Sequence, residues 1–457
     1  MIQINPREIA AEALMEIMKE DAYNNMVLKR LLRQNGAMSP KDRAFVTEIV
    51  NGTLRNLYYI DYILNKISTV KTEKMKPWIL AVLRSAVYQI YFMKVPDSAA
   101  CNEAVELVKE KGFGKLTGFV NGVLRNVLRK KDEISFPDEK TTPVDYLSVR
   151  YSHPKWLIQM WLHAYGYDFV KALCEKNNEA PDVTICYNTL KTEKGILKQE
   201  LEQQGVSVKE GIYYRFALHL TKTADMGVLD TFLAGHFHVQ DESSMTAVEV
   251  LSPKPGERIL DICAAPGGKS FLVAEKMENL GEVVSRDIYE HKQALIEEGA
   301  ERLGISIITA EMQDASEEDQ NSVKAFDRVL VDAPCSGLGL IRKKPDICLR
   351  KNGNDIDELM LLQRKILGQA AAYVKEGGVL VYSTCTICKK ENLNNIQWFL
   401  ANHKEYQLED ITAYLPEGMK SDTAEKGYIQ LFPHIHGTDG FFIARMRREE
   451  QQNDGKA

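Results

Sequence analysis

The chain has 457 residues, 44% of them hydrophobic and 27% charged, with a formal net charge of −6; this is the balance of a globular protein too long for a single core. No uncharged apolar run reaches the ~20 residues of a membrane span, and the start Met1-Ile-Gln-Ile-Asn-Pro-Arg-Glu8 lacks the basic-then-apolar order of a signal peptide. Eight cysteines without framework spacing fit a reducing compartment, so a cytoplasmic location is expected.

Residues 1–130 hold 20 Lys+Arg against 13 Asp+Glu, a net of +7, which leaves −13 for the remainder. A basic amino-terminal third on an acidic body is compatible with nucleic-acid binding, and equally with a solvated helical face. This third reads as helix after helix. Arg43–Arg55 and Pro77–Arg84 space apolar residues at helical intervals. Val95-Pro-Asp-Ser-Ala-Ala-Cys-Asn102 gives a turn with a capping candidate at Asp97 or Ser98, then another helix. Gly118–Arg129 closes the bundle with a basic face. No catalytic constellation lies here. Together, Val95-Pro96 to Asn102-Glu-Ala-Val105 and Phe119-Val-Asn-Gly-Val-Leu-Arg125 resemble the all-helical domain of the antitermination factor NusB, and that resemblance implies RNA binding.

Residues 131–149, with charged clusters, Pro137 and Pro143, read as a linker. An aromatic-rich helix with Ser152 as cap candidate follows, through Trp156 and Trp161. From Val183 to about Leu233 short strands and helices are expected, among them Val183–Tyr187, a helix around Ile196–Gln204 and a strand Ile212–Phe216. This is a small α+β domain whose aromatics either stack RNA bases or fill a core, with the core favoured.

Region 236–448 alternates strands and helices, the mark of a mostly parallel, doubly wound sheet. Strand candidates are Arg258–Ile262, Val283–Asp287, Ile305–Ala310, Arg328–Asp332 and Val379–Ser383, with Phe441–Arg445 as a late antiparallel addition. After the first strand comes Asp261-Ile-Cys-Ala-Ala-Pro-Gly-Gly-Lys269. A phosphate-cradling Walker loop needs glycine where Cys263 stands, and no G-x-G-x-x-G is present, so a nucleoside-type cofactor loop remains. Asp287, Asp314 and Asp332 fall at the ends of successive strands and face one crevice, Asp287 placed for ribose hydroxyls. The apolar run Val379-Leu-Val-Tyr-Ser383 delivers Thr384-Cys385-Thr386 to the same edge, and Asp332-Ala-Pro-Cys335-Ser-Gly supplies a second cysteine.

Cys263-Ala-Ala-Pro-Gly-Gly-Lys269, Asp332-Ala-Pro-Cys335-Ser-Gly and Thr384-Cys-Thr386 are similar to the signatures of S-adenosylmethionine-dependent RNA cytosine-5 methyltransferases. With the NusB-like third, the chain resembles the RsmB (Sun/Fmu) family, which acts on 16S rRNA. The resemblance implies three domains. These are an all-α NusB-like RNA-binding domain (1–135), a helical linker with a small α+β domain (145–235), and a Rossmann-like class I methyltransferase core (236–448), before a disordered tail (449–457). It implies S-adenosyl-L-methionine held by Cys263, Ala264, Ala265, Pro266, Gly267, Gly268 and Lys269, with Asp287 on the ribose, Asp314 near the adenine and Asp332 near the methionine end and the target base. It makes Cys385 the nucleophile and Cys335 its helper in product release, with Asp332 completing the catalytic set. Gln240-Asp-Glu-Ser243 and Gly437–Phe442 are further family-like segments, whereas Cys186 stands where relatives carry arginine. The expected partner is 16S rRNA or a small-subunit assembly intermediate, met by a monomer without a membrane.

The chemistry accounts for a thiol. C5 of cytosine is a poor nucleophile, so a thiolate adds to C6 and makes C5 nucleophilic. A free thiol near pKa ~8.5 needs help to ionise, and Arg342 and Lys344 in Ile341–Asp346 are candidates for it. Asp332 could accept from the cytosine amine and so select C over U. His236-Phe-His238, His434-Ile-His436 and the Cys385-x-x-Cys388 spacing could suggest metal or redox sites, but nothing in this mechanism requires a metal and none is expected. Two alternatives stay open: the same reaction on tRNA or another rRNA site, and a non-catalytic ribosome-assembly factor.

Overall fold

Pro6, Pro40 and Pro77 each open a helix, a position where the missing N–H costs nothing. In a computed structural model describing residues 5–19, 22–221 and 226–450, the chain divides into two units. One is Met1–Ala180 with Ile341–Arg350, the other Pro181–Leu340 with Lys351–Ala457. The expected disordered tail lies outside the described residues from 451 onward. No helix among the described residues is long and apolar enough to cross a membrane.

The first unit is helical. Helices Pro6–Lys19, Asn24–Gln34, Pro40–Arg55, Leu57–Ile67, Asp97–Glu110 and Thr117–Arg129 pack with Pro77–Phe92, which buries Ile79, Val82, Leu83, Val87 and Ile90. Its buried Arg84 makes a two-pronged pair with Asp61 at 2.8 and 2.7 Å, the strong geometry for a guanidinium. Helices Pro143–Arg150, Lys155–Tyr165 and Tyr167–Asn177 complete the unit, so the linker read over 131–149 ends in a helix. Two cap expectations fail. Asp97 is the first helical residue behind Pro96, and no side chain caps that helix. Ser152 adopts a positive φ of 60° and uses its hydroxyl to accept from the Tyr58 amide, so Pro154 precedes the next helix instead. Segment Ile341–Arg350 packs in this unit although its sequence neighbours lie in the other. The Asn24 amide donates to Asp346, Arg350 lies 3.9 Å over the Tyr23 ring, and Leu349 joins the core of the first helices.

The second unit starts with a small antiparallel sheet of β1 (Val183–Tyr187), β2 (Ser207–Glu210), β3 (Ala217–Thr221) and β4 (Phe237–Val239), in the order β2-β3-β1-β4. Helix Lys194–Gln203 covers it through Leu197 and Leu201, against Ile185, Leu218 and Phe237. The expected strand Ile212–Phe216 is a turn. Its amides at Ile212, Tyr213 and Tyr214 all donate to the buried Glu242 carboxylate, at 2.8, 2.7 and 3.0 Å, and three consecutive amides aimed at one carboxylate cannot join a ladder. Tyr214 and Phe216 are buried and stacked on each other, which supports the core reading of the aromatics.

The large sheet comprises β5 (Arg258–Asp261), β6 (Glu282–Asp287), β7 (Ile308–Met312), β8 (Phe326–Asp332), β9 (Val374–Thr384), β10 (Tyr406–Leu408), β11 (Tyr428–Leu431) and β12 (Phe441–Arg448). Its order is β10-β12-β9-β8-β5-β6-β7, with β11 beside β12. Strands β5 to β9 pair in parallel, and β12 runs antiparallel to β9. Helices Gly268–Lys276, Glu290–Leu303, Gly353–Tyr373 and Leu393–Asn402 fill the crossovers. Covered on both faces, β9 buries Val379, Leu380, Val381 and Tyr382 in succession, as central parallel strands do. The order reverses between β5 and β8, and there the carboxyl ends of the strands open a crevice.

Burial pushes the Glu242 carboxyl up, but the bonds from His219 and the three amides overcome this and hold it below its usual 4.5. The folded state thus favours the anion, so the stabilisation is complete above the unfolded-state pKa and fades as pH falls below ~4.5. Glu242→Gln is expected to cost about 1–3 kcal/mol at neutral pH and to converge with wild type in acid. Urea unfolding at a series of pH values measures both.

Candidate active site

The turn after β5 is shaped by backbone. Gly267 takes φ +107°, and a Cβ on it would sit 2.4 Å from the Phe271 ring; a side chain is thus excluded twice. The Ala264 amide donates to Arg286 O and the Ala265 amide to Asp287 Oδ2 at 3.3 Å, so the turn is tied to the end of β6. Beneath it Asp261 is buried, accepting from Ser270 Oγ at 2.8 Å, with Ser285 Oγ donating to Ser270 in turn. Burial raises the Asp261 carboxyl to about 7.

A cleft of about 390 Å³ opens at the carboxyl ends of β5 to β8. Its apolar walls are Ile262, Ile288, Ala315, Leu362 and Ile366; its polar groups include Asp287, Tyr289, Gln313, Asp314 and Asp332. Of the expected cofactor residues, Cys263, Ala265, Asp287, Asp314 and Asp332 line it; Ala264, Pro266, Gly267 and Gly268 shape the turn beside it. Asp287 also accepts from the Ile288 amide at 2.8 Å and pairs with Lys292 at 3.1 Å. Asp314 accepts from the Ser316 amide at 2.8 Å. Ile288, Tyr289 and Gln313 went unread in the sequence. The rule that loops after parallel strands hold ligands points to them, since each follows β6 or β7 by one or two residues.

Lys269 faces the other way. Its ammonium meets Asp332 Oδ2 at 2.5 Å and lies 5.3 Å from the Phe441 ring centroid. Burial works against its charge, yet Asp332, Asp261 and Cys385 more than compensate and its pKa is raised. Ser383 Oγ donates to Asp332 Oδ1 at 2.9 Å, so both carboxylate oxygens are engaged. Two residues on, Cys385 Sγ stands 3.2 Å from Cys335 Sγ. The hydrogen bond with Cys385, burial and nearby negative charge push the Cys335 thiol well up. Gly339 donates to Cys385 O and accepts from the Gly440 amide, both at 3.0 Å. A Cβ on Gly339 would lie 1.8 Å from Gly440 O, so the backbones touch only because glycine is present. Asp241 caps helix Glu242–Leu251 through Ser243 and accepts from the Asp439 amide at 3.1 Å. The two family-like segments therefore meet behind the thiols.

Other expectations resolve differently. Arg342 and Lys344 lie in the segment Ile341–Arg350 of the helical unit, where Arg342 O accepts from Arg55; Lys269 is a cation electrostatically coupled to Cys385 that the sequence did not single out for that part. Cys186 is buried in β1 opposite Ala217 and His238, so its side chain is a core element. Cys388 is buried and its thiol raised to about 11 by that burial, while the sulfur partner of Cys385 is Cys335. His236 pairs with Glu200, and buried His238 contacts Gln240. Among the described residues no three His, Cys, Asp or Glu side chains gather as a metal set.

Comparison with known proteins shows the family and the domain order. Residues 248–447 match the family model for the 16S rRNA methyltransferase RsmB/F. Residues 4–129 match the NusB family, and residues 153–227 the ferredoxin-like domain of RsmF/B-like methyltransferases. The chain is 40% identical to a probable ribosomal RNA small subunit methyltransferase B of Bacillus subtilis, over 98% of this chain and all of that one. It is 30% identical to ribosomal RNA small subunit methyltransferase B of Serratia proteamaculans, over 97% and 98% of the two chains. Among solved structures, the crystal structure of PH0851 superposes with a TM-score of 0.82 at 28% identity, over 98% of this chain and all of that one.

Asp261 holds its proton in the fold up to about 7 but loses it near 3.8 when unfolded. Its favourable contribution is thus full below pH ~4 and is lost as pH rises toward ~7. Asp261→Asn, which mimics the protonated group, is expected to match wild type in acid and to exceed it by on the order of 2–4 kcal/mol above pH ~7. Chemical denaturation of both proteins at several pH values checks it.

Proposed function

The chain belongs to the RsmB/F family of 16S rRNA methyltransferases, and on that premise we propose that it methylates C5 of one cytosine in 16S rRNA through a covalent bond between Cys385 and C6. The observation that carries this reading is the pair of thiols 3.2 Å apart just past the ends of β8 and β9, next in the chain to Asp332 and Pro334, which line the cleft. S-Adenosyl-L-methionine, when bound, supplies an electrophilic methyl group on a sulfonium. The cleft fits such a molecule: apolar walls suit an adenine, Asp287 at the end of β6 suits ribose hydroxyls, Asp314 lies one strand further, and Asp332 brings negative charge toward the sulfonium.

Cys385 attacks as the thiolate, and Lys269 supplies positive charge in its neighbourhood. The new S–C6 bond moves electrons onto C5, which takes the methyl group; C5 then gives up its proton to solvent water, and the electrons left behind restore the C5–C6 double bond and expel the sulfur as the thiolate. Cys335 stays a thiol and donates its hydrogen bond to the sulfur of Cys385, first as that sulfur attacks and again as it departs. Asp332, fixed on both sides by Lys269 and Ser383, keeps lone pairs for the cytosine amine, which uracil lacks. The base has to leave its stack to reach these groups. The NusB-like helices hold the RNA through exposed Arg125 and Arg129 on helix Thr117–Arg129 and Lys130 just past its end, contacts that weaken with salt.

The test is transfer of labelled methyl from S-adenosylmethionine to unmethylated 16S rRNA, with nuclease mapping of the product. Wild type is expected to label C5 of one cytosine. Cys385→Ala should be inactive, and Cys335→Ala should accumulate a covalent protein–RNA adduct. Label in tRNA alone would move the substrate, and RNA binding without label would favour an assembly factor. Asp287→Ala should weaken cofactor binding about 10- to 100-fold, the worth of hydrogen bonds to a charged group, as read by calorimetry.

A further inference from the structure

The loops that carry Cys335 and Cys385 share one carboxylate. Glu391 is fully buried and accepts from Ser336 N at 2.8 Å and Ser336 Oγ at 2.5 Å, immediately after Cys335. It also accepts from Thr386 Oγ1 at 3.4 Å, immediately after Cys385. The hydroxyls of Ser336 and Thr386 meet each other at 2.8 Å. From behind, Gln363 Nε2 donates to Glu391 Oε1 at 3.0 Å and to Pro334 O at 2.9 Å, so the residue before Cys335 is held in the same network. A buried carboxylate is costly unless its lone pairs are filled. Here they are filled by groups flanking both thiols, so the satisfied geometry of Glu391 is also the geometry that sets the thiols side by side.

We propose that Glu391 is a positioning residue for the methyl-transfer reaction: it fixes the separation and relative aim of Cys335 and Cys385 without touching RNA or cofactor. This rests on the reading that those two cysteines carry the chemistry. Its negative charge also adds to the influences that keep Cys335 protonated. Glutamine at 391 keeps the size, yet its amide nitrogen cannot accept from Ser336 Oγ or Thr386 Oγ1, so one face of the clamp is lost.

Glu391→Gln is tested in the full chain by two readouts. The first is kcat and KM for S-adenosylmethionine with 16S rRNA. The second needs no RNA: the rate at which diamide, taking up two electrons and two protons, joins Cys335 and Cys385 in a disulfide located by mass spectrometry. Both kcat and the cross-linking rate are expected to fall about 10- to 100-fold, the cost of a misplacement near 1 Å. KM for the cofactor should stay within about twofold of wild type. Lys390→Ala, adjacent but exposed and paired with Asp357, should leave both rates unchanged. If Glu391→Gln does not fold, Ser336→Ala removes the shortest contact while leaving the carboxylate, and should show the same split at smaller size. Wild-type values of kcat and cross-linking in the folded variant would overturn the proposal. A wild-type protein that transfers no methyl to RNA would instead sink the functional reading, with the cross-linking comparison still deciding the role of Glu391.

Discussion

The parallel pairing of β8 with β9 sets Asp332 opposite Ser383, and the arrangement of the site follows from that register. β8 ends at Asp332 and β9 one residue past Ser383, and a cysteine follows each of the two paired residues within three positions. With the strands locked by a ladder and the loops clamped at their bases, the two sulfurs have little choice but to meet. A slip of one residue in either strand would turn Asp332 or Ser383 to the opposite face, break the bond between them, and part the thiols. Burial of the alternating apolar residues on both faces of β9 opposes such a slip, since any shifted register leaves the same side chains mismatched with their neighbours.

Electrostatics then give the two sulfurs different parts. Cys335 sits with its partner sulfur, the Glu391 carboxylate and Asp332 around it, and its thiol form is favoured. Cys385 shares its surroundings with Lys269, a cation that Asp332 keeps charged despite burial. Asp332 therefore serves two ends: it anchors the lysine and presents a carboxylate to the cleft. Asp261 beneath the turn holds the hydroxyl chain of Ser270 and Ser285, and burial raises its carboxyl to about 7, so it braces the turn with less negative charge than an exposed aspartate would carry near neutral pH.

Much of this was legible in the sequence for identifiable reasons. Parallel strands buried on both faces write themselves as apolar runs, and Cys263–Lys269, Asp332–Gly337 and Thr384–Thr386 are loops whose residues are dictated by tight turns and close backbone approaches. Other features leave no local trace. Ile212–Phe216 alternates like a strand, yet its amides are claimed by Glu242, about thirty residues away. Ile341–Arg350 packs within the helical unit through partners remote in sequence, among them Asn24, whose amide donates to Asp346, 322 positions away. Glu391 stands in Lys389-Lys-Glu-Asn392, a stretch that reads as a solvated helix start; only the fold reveals that its side chain turns inward to the loops of both cysteines. Strands β10 and β11, three and four residues long, are too short for periodicity to find.

The most direct measurement of the central claim is to trap the covalent step. Fluorine at C5 cannot leave as a proton, so a 16S rRNA transcript containing 5-fluorocytidine should hold the enzyme at the stage where sulfur is bonded to C6 and the methyl group has been transferred. Digestion and fragmentation mass spectrometry of that adduct then identify the attached sulfur. The account predicts a nucleotide on Cys385, formed only with S-adenosylmethionine present and absent from Cys388 in the same tryptic peptide. A nucleotide on Cys335 would contradict the assignment of the two thiols.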